Sequence, residues 1–153
     1  VQTCALPIFM SGVSLAEIHA RTGRCDEALE LLDIVSKLNQ QLGYRLFAPK
    51  IDAIRALALK SLGCDAEAVE HVRRAIEAEH GHDAVSRVLC AWIASRVLPS
   101  PEDSRGQLNH ALGLARQLGL RPLEALCAID SHDEARAGRA QRSELGMGGD
   151  WLD

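Results

Sequence analysis

The chain has 153 residues and a formal charge of −4, with its basic residues scattered rather than striped, which argues against a nucleic acid as a direct partner. Aromatic residues are only 3% of a composition that is 47% hydrophobic, so the apolar mass is Leu, Ile, Val and Ala, suited to helix-on-helix packing in one domain rather than to sheets. No apolar run approaches the ~20 residues needed to cross a bilayer, no basic start marks a secretory signal, and the five cysteines lack a C-x-x-C pair, so a cytoplasmic protein without a membrane partner is expected.

The opening Val1-Gln2-Thr3-Cys4-Ala5-Leu6-Pro7-Ile8 resembles the conceptual translation of a sequencing adapter, so residues 1–8 are expected to be non-native and residues 9–140 to form the domain, as a fragment of a longer protein. A helix tail is expected over about residues 10–22, where Ser14 and Glu17 also have the spacing of a capping box. Gly23 ends that helix, and Asp26 is expected to cap the next. There Ala28, Leu31, Leu32, Val35, Leu38 and Leu42 recur at helical spacing until Gly43. A further helix starts around Leu46, tolerates Pro49 in its first turn and ends at Gly63, with Ile51, Ile54, Ala58 and Leu62 as its stripe.

After Gly63, Asp65 is expected to cap a helix carrying Ala68, Val69, Val72, Ala75 and Ile76, which stops at His80-Gly81. Asp83 caps the next, with Val85, Val88, Leu89, Trp92 and Ile93. Pro99-Ser100-Pro101 then breaks the pattern, and Ser100 caps a helix running through Leu108, Ala111, Leu112 and Ala115 to Gly119. Arg121-Pro122 opens a last helix with Leu123, Leu126, Cys127 and Ile129. Four polar residues from Asp130 to Asp133 interrupt its stripe, Ala137-Gly138-Arg139 reads as a turn, and residues 141–153 as a frayed or disordered tail.

A phrase recurs in this order: Gly23-Arg24-Cys25-Asp26-Glu27-Ala28-Leu29 returns 40 residues later as Gly63-Cys64-Asp65-Ala66-Glu67-Ala68-Val69. A recurrence of that length between helical stretches marks an all-α repeat whose units bury their apolar faces by stacking. Gly23 and Gly63 supply the left-handed stop, and the small Ala28 and Ala68 let the second helix approach the first.

Gly23, Ala28, Leu32 and Val35, and again Gly63, Ala68, Val72 and Ala75, resemble the tetratricopeptide repeat (TPR), although the spacing of 40 exceeds that family's usual 34 and Arg55 stands where an apolar residue belongs. The resemblance implies antiparallel helix pairs stacked as a right-handed TPR-like α-solenoid that binds protein. Lys50, Ala53, Leu57 and Lys60 would then line its groove and suit an acidic, partly apolar segment of another protein or of the parent chain. Residues 114–127 are also similar to a segment of large bacterial signalling proteins in which an ATPase module joins a nucleotide cyclase or a LuxR-type DNA-binding domain. This implies a regulatory scaffold.

No phosphate loop, cyclase aspartate pair or catalytic triad is present, so no catalytic residue, enzyme activity, metal or cofactor is expected here. Glu27 with Glu30, Glu67 with Glu70, and Arg73-Arg74 read as solvated surface, and the cysteines as small hydrophobes. The competing reading is a free-standing helical metal-binding protein or small enzyme using His71, His80 and His82, with Cys127, Asp130, His132 and Asp133 as a weaker metal-compatible group. Self-association through uncapped apolar ends is a further expectation.

Overall fold

The computed structural model describes residues 2–43, 47–78 and 83–144, with side chains described for 6–41, 43, 47–78 and 83–132. Seven helices account for them: α1 (Gln2–Arg21), α2 (Cys25–Leu42), α3 (Ala48–Ser61), α4 (Asp65–Glu77), α5 (Ala84–Val97), α6 (Pro101–Gln117) and α7 (Arg121–Glu144). No strand occurs among the described residues, so the all-α expectation holds.

Each helix packs against the next, and the odd-numbered helices also pack on one another in the order α1, α3, α5, α7. Among the described residues the even-numbered helices make no close backbone approach to one another. Composition follows this division. The outer α2, α4 and α6 each bury a single stripe, whereas α3 and α5, flanked on several sides, bury residues nearly all round. In α3, Ile51, Ala53, Ile54, Ala56, Leu57, Ala58 and Leu59 are all buried, which the small alanines permit.

The turns are local chemistry. Gly23 and Gly63 have φ of 83° and 80°, and the residue after each returns its N–H to a carbonyl five positions back: Arg24 to His19 and Cys64 to Leu59, both at 2.9 Å. That closure satisfies a carbonyl orphaned at the helix end and reverses the chain within three residues. The α6–α7 connection repeats it, Leu120 N–H bonding Ala115 O at 2.9 Å.

The α5–α6 connection reverses the chain with proline. Pro99 lies 36 residues beyond Gly63, and Ser104, Leu108 and Ala111 follow it at the offsets that Ala28, Leu32 and Val35 keep from Gly23. Leu108 and Ala111 are buried, and the half-buried Ser104 hydroxyl donates to Ser95 O on α5. A third hairpin of the same register is therefore present without the glycine.

Asp83 and Ser100 cap as expected, accepting from the Ser86 N–H at 2.9 Å and the Asp103 N–H at 3.2 Å. Four expectations are corrected. Asp26 and Asp65 do not cap; Arg24 and Cys64 occupy those positions without side-chain hydrogen bonds, and the aspartates sit in the first turn, where the helix dipole favours negative charge. The first helix begins at Gln2 rather than near residue 10 and carries Pro7 within it, so Ser14 lies in its interior. Ala137-Gly138-Arg139 is no turn, because α7 runs through to Glu144: one glycine costs about 1 kcal/mol, which the surrounding Ala, Arg, Gln and Glu offset. For the same reason, the tail expected from residue 141 is helical as far as Glu144. The His80-Gly81 stop, the start near Leu46 and the tail from residue 145 lie outside the described residues.

Candidate binding surface on the odd-numbered helices

Glu17 and Arg21 stand one turn apart on α1, and Glu17 accepts from two cations: Arg21 at 3.3 Å and Lys50 of α3 at 3.5 Å. Beyond them lies Trp92 of α5, only 3% exposed. The Arg21 guanidinium carbon is 5.4 Å and the Arg96 guanidinium carbon 5.0 Å from the centre of its ring, within cation–π range. The indole Nε1 donates to Asp130 Oδ2 of α7 at 2.8 Å, and Arg96 donates to the same oxygen at 2.7 Å.

Among the described residues, α1 and α5 share no close backbone approach; each packs on α3. Arg21 therefore reaches Trp92 across α3. One run of side chains, Lys50, Glu17, Arg21, Trp92, Arg96 and Asp130, links all four odd-numbered helices.

Exposure gives this surface its sign. The side chains of Arg21 and Arg96 are 40% and 47% exposed, while those of their carboxylate partners Glu17 and Asp130 are 18% and 21% exposed. An approaching molecule meets the two guanidinium groups that cover the buried Trp92 ring, with the less exposed carboxylates beside them.

The expected groove is corrected on this point. Ala53 and Leu57 are buried, because α3 is packed on that side too, and offer no side chain to a partner. Lys50 joins the surface through Glu17, while Lys60 is paired with Asp65 at 2.9 Å across the α3–α4 turn. The side of α3 that stays open carries Ala48, Asp52 and Arg55 and faces the outer helices: Arg55 pairs with Asp33 of α2 at 2.7 Å, and Asp52 with His71 of α4 at 2.7 Å. Ala28, Leu32, Val35, Ala68, Val72 and Ala75 are buried where hairpin packing needs them.

His71 is held by Asp52, and the Arg74 guanidinium lies 2.7 Å from the same ring nitrogen. His80 and His82 lie outside the described residues. Of the other group, Cys127 is buried, Asp130 is engaged by Trp92 and Arg96, His132 is exposed, and the side chain of Asp133 is not among those described. No set of three or more His, Cys, Asp or Glu side chains is placed to hold a metal ion among the described residues. Burial pushes the thiols of Cys90 and Cys127 up to about 12 and about 11, with Asp130 adding to the effect at Cys127, so neither is a nucleophile at neutral pH.

Sequence reasoning missed Asp130, Arg21 and Arg96 as a group. Trp92 was the available signal: a buried indole needs an acceptor, and the acidic residues interrupting the α7 stripe were the ones to supply it. No family model, curated protein or solved structure matches the chain. No helix among the described residues is long and apolar enough to cross a membrane.

Proposed function

We propose that this chain is a TPR-like α-solenoid that binds protein through its odd-numbered helices. Three hairpins in one register, with successive odd-numbered helices packed in a row, support the stacking. The observation that carries the functional reading is the pair of exposed guanidinium groups that cover Trp92, beside less exposed carboxylates.

The partner this surface suits is a segment bearing acidic and apolar residues, from a separate protein or another domain of the parent chain. In that setting the chain is a regulatory scaffold, as in the large bacterial signalling proteins whose segment it resembles, and any catalysis belongs elsewhere. Selection from a random peptide display library tests the reading. The chain is expected to enrich acidic-apolar sequences, and Arg21→Glu/Arg96→Glu to lose that enrichment; enrichment of the same sequences by both proteins contradicts it.

Self-association belongs to the same proposal. Of the odd-numbered helices, α3 and α5 have a neighbour of the row on both sides, whereas α1 has one. On its free side α1 exposes Ile8, Leu15 and Ile18, at 66%, 45% and 51%. The stripe fits its own copy run antiparallel, since Ile8 then meets Ile18 and Ser11 meets Leu15 with no charge in the contact.

A further inference from the structure

The outer helices α4 and α6 make no close backbone approach, and α5 packs against both of them. A cavity of about 260 Å³ opens there. Ala75 and Ile76 of α4 and Cys90 and Ala91 of α5 line it with apolar surface, and the small alanines leave the space.

Its polar lining comes from Arg87 of α5 and Gln107 and His110 of α6. Arg87 and His110 are exposed and Gln107 is half-buried. None of the three side chains has a hydrogen bond or ion pair among the described residues. Arg21, Arg24, Arg55, Arg74, Arg96 and Arg116 have carboxylate partners, whereas Arg73, Arg87, Arg105 and Arg121 have none among the described residues, and of these four it is Arg87 that lines the cavity. At about 100° per residue, Arg87, Cys90 and Ala91 lie on the side of α5 opposite Trp92 and Arg96, so this cavity is separate from the partner surface.

We propose that the cavity between α4, α5 and α6 binds a small carboxylate with an apolar body, its carboxylate held by Arg87 with help from His110 and Gln107, and its body resting on Ala75, Ile76 and Ala91. The planar guanidinium offers a carboxylate two parallel donors, which favours this anion over a neutral amide of the same shape. The volume limits the body to about the size of one aromatic ring or a short acyl chain. Cys90 at the floor stays a neutral thiol, so it places no negative charge against the ligand. A bound molecule would bridge α4 and α6, whose backbones do not approach closely.

Isothermal titration with benzoate and with benzamide tests the site. Benzoate is expected to saturate one site per chain, benzamide to bind at least about tenfold more weakly, and Arg87→Gln to weaken benzoate by about ten- to a hundredfold, as loss of a charged hydrogen bond predicts. Arg87 is exposed, so the variant should keep its helical circular dichroism. Absence of saturable benzoate binding up to about 10 mM, equal binding of benzamide, or unchanged binding by Arg87→Gln overturns the proposal.

Discussion

The indole N–H of Trp92 and the carboxylate of Asp130 meet at 2.8 Å, tying α5 to α7 at the point where the apolar stripe of α7 gives way to polar residues. Asp130→Ala leaves a buried donor unpaired and releases Arg96, so about 1–3 kcal/mol of stability should be lost in chemical denaturation. Asp130→Asn keeps an acceptor for the indole and should cost less. Amide exchange in α7 should accelerate more than in α3.

A Cβ on Gly12 of α1 would lie 2.8 Å from Cγ2 of the buried Val35 on α2. Gly12→Ala gains about 1 kcal/mol of helix propensity against about 1–3 kcal/mol of overpacking, so it should be neutral to destabilising in the native background. With Val35→Ala the clash is removed and the same substitution should stabilise by about 1 kcal/mol. A double-mutant cycle followed by urea unfolding reads this reversal of sign.

Cap chemistry makes Asp83 pH-dependent. Burial raises its carboxyl, but the Ser86 hydroxyl and N–H and the charge of Lys50 together bring it below the usual 3.8. A depressed value stabilises the fold above pH 3.8 and is lost as pH falls through the lower folded value. The deficit of Asp83→Ala, about 1 kcal/mol at pH 7, should therefore shrink as unfolding is repeated below about pH 4.

The thiols give the opposite slope. With Cys90 and Cys127 raised from 9.0 to about 12 and about 11, their contribution is complete below pH 9 and lost as pH rises through those values. In a Cys4→Ser background, a thiol reagent at pH 8 should modify the exposed Cys64 rapidly and Cys25, Cys90 and Cys127 only on unfolding.

Much of the local structure was legible because it is local. Glycine at the α1–α2 and α3–α4 turns, Asp83 and Ser100 as caps and Pro101 at a first helical position act within a few residues. The third hairpin escaped because Pro99 stands where the repeated phrase has glycine. The surface was less legible, since the register of one helix does not tell how many neighbours it has: Ala53 and Leu57 share a face with Lys50, yet α3 is enclosed there. Asp130 read as an interruption until a buried indole 38 residues away was placed beside it.

If the exposed stripe of α1 pairs with its own copy, Ile18→Glu puts two carboxylates into the contact. Sedimentation should show the concentration-dependent larger species of the native chain reduced to monomer, with helix content unchanged.

The central claim is that the Trp92 surface holds acidic protein segments. In a Trp151→Phe chain, Trp92 is the remaining tryptophan, and its emission can be followed while adding a peptide of alternating Glu and Leu or its Gln counterpart. The account predicts a saturable change with the Glu peptide, at least about tenfold weaker with the Gln peptide, and lost in Arg21→Glu/Arg96→Glu. No change, or an equal response to both peptides, would contradict it.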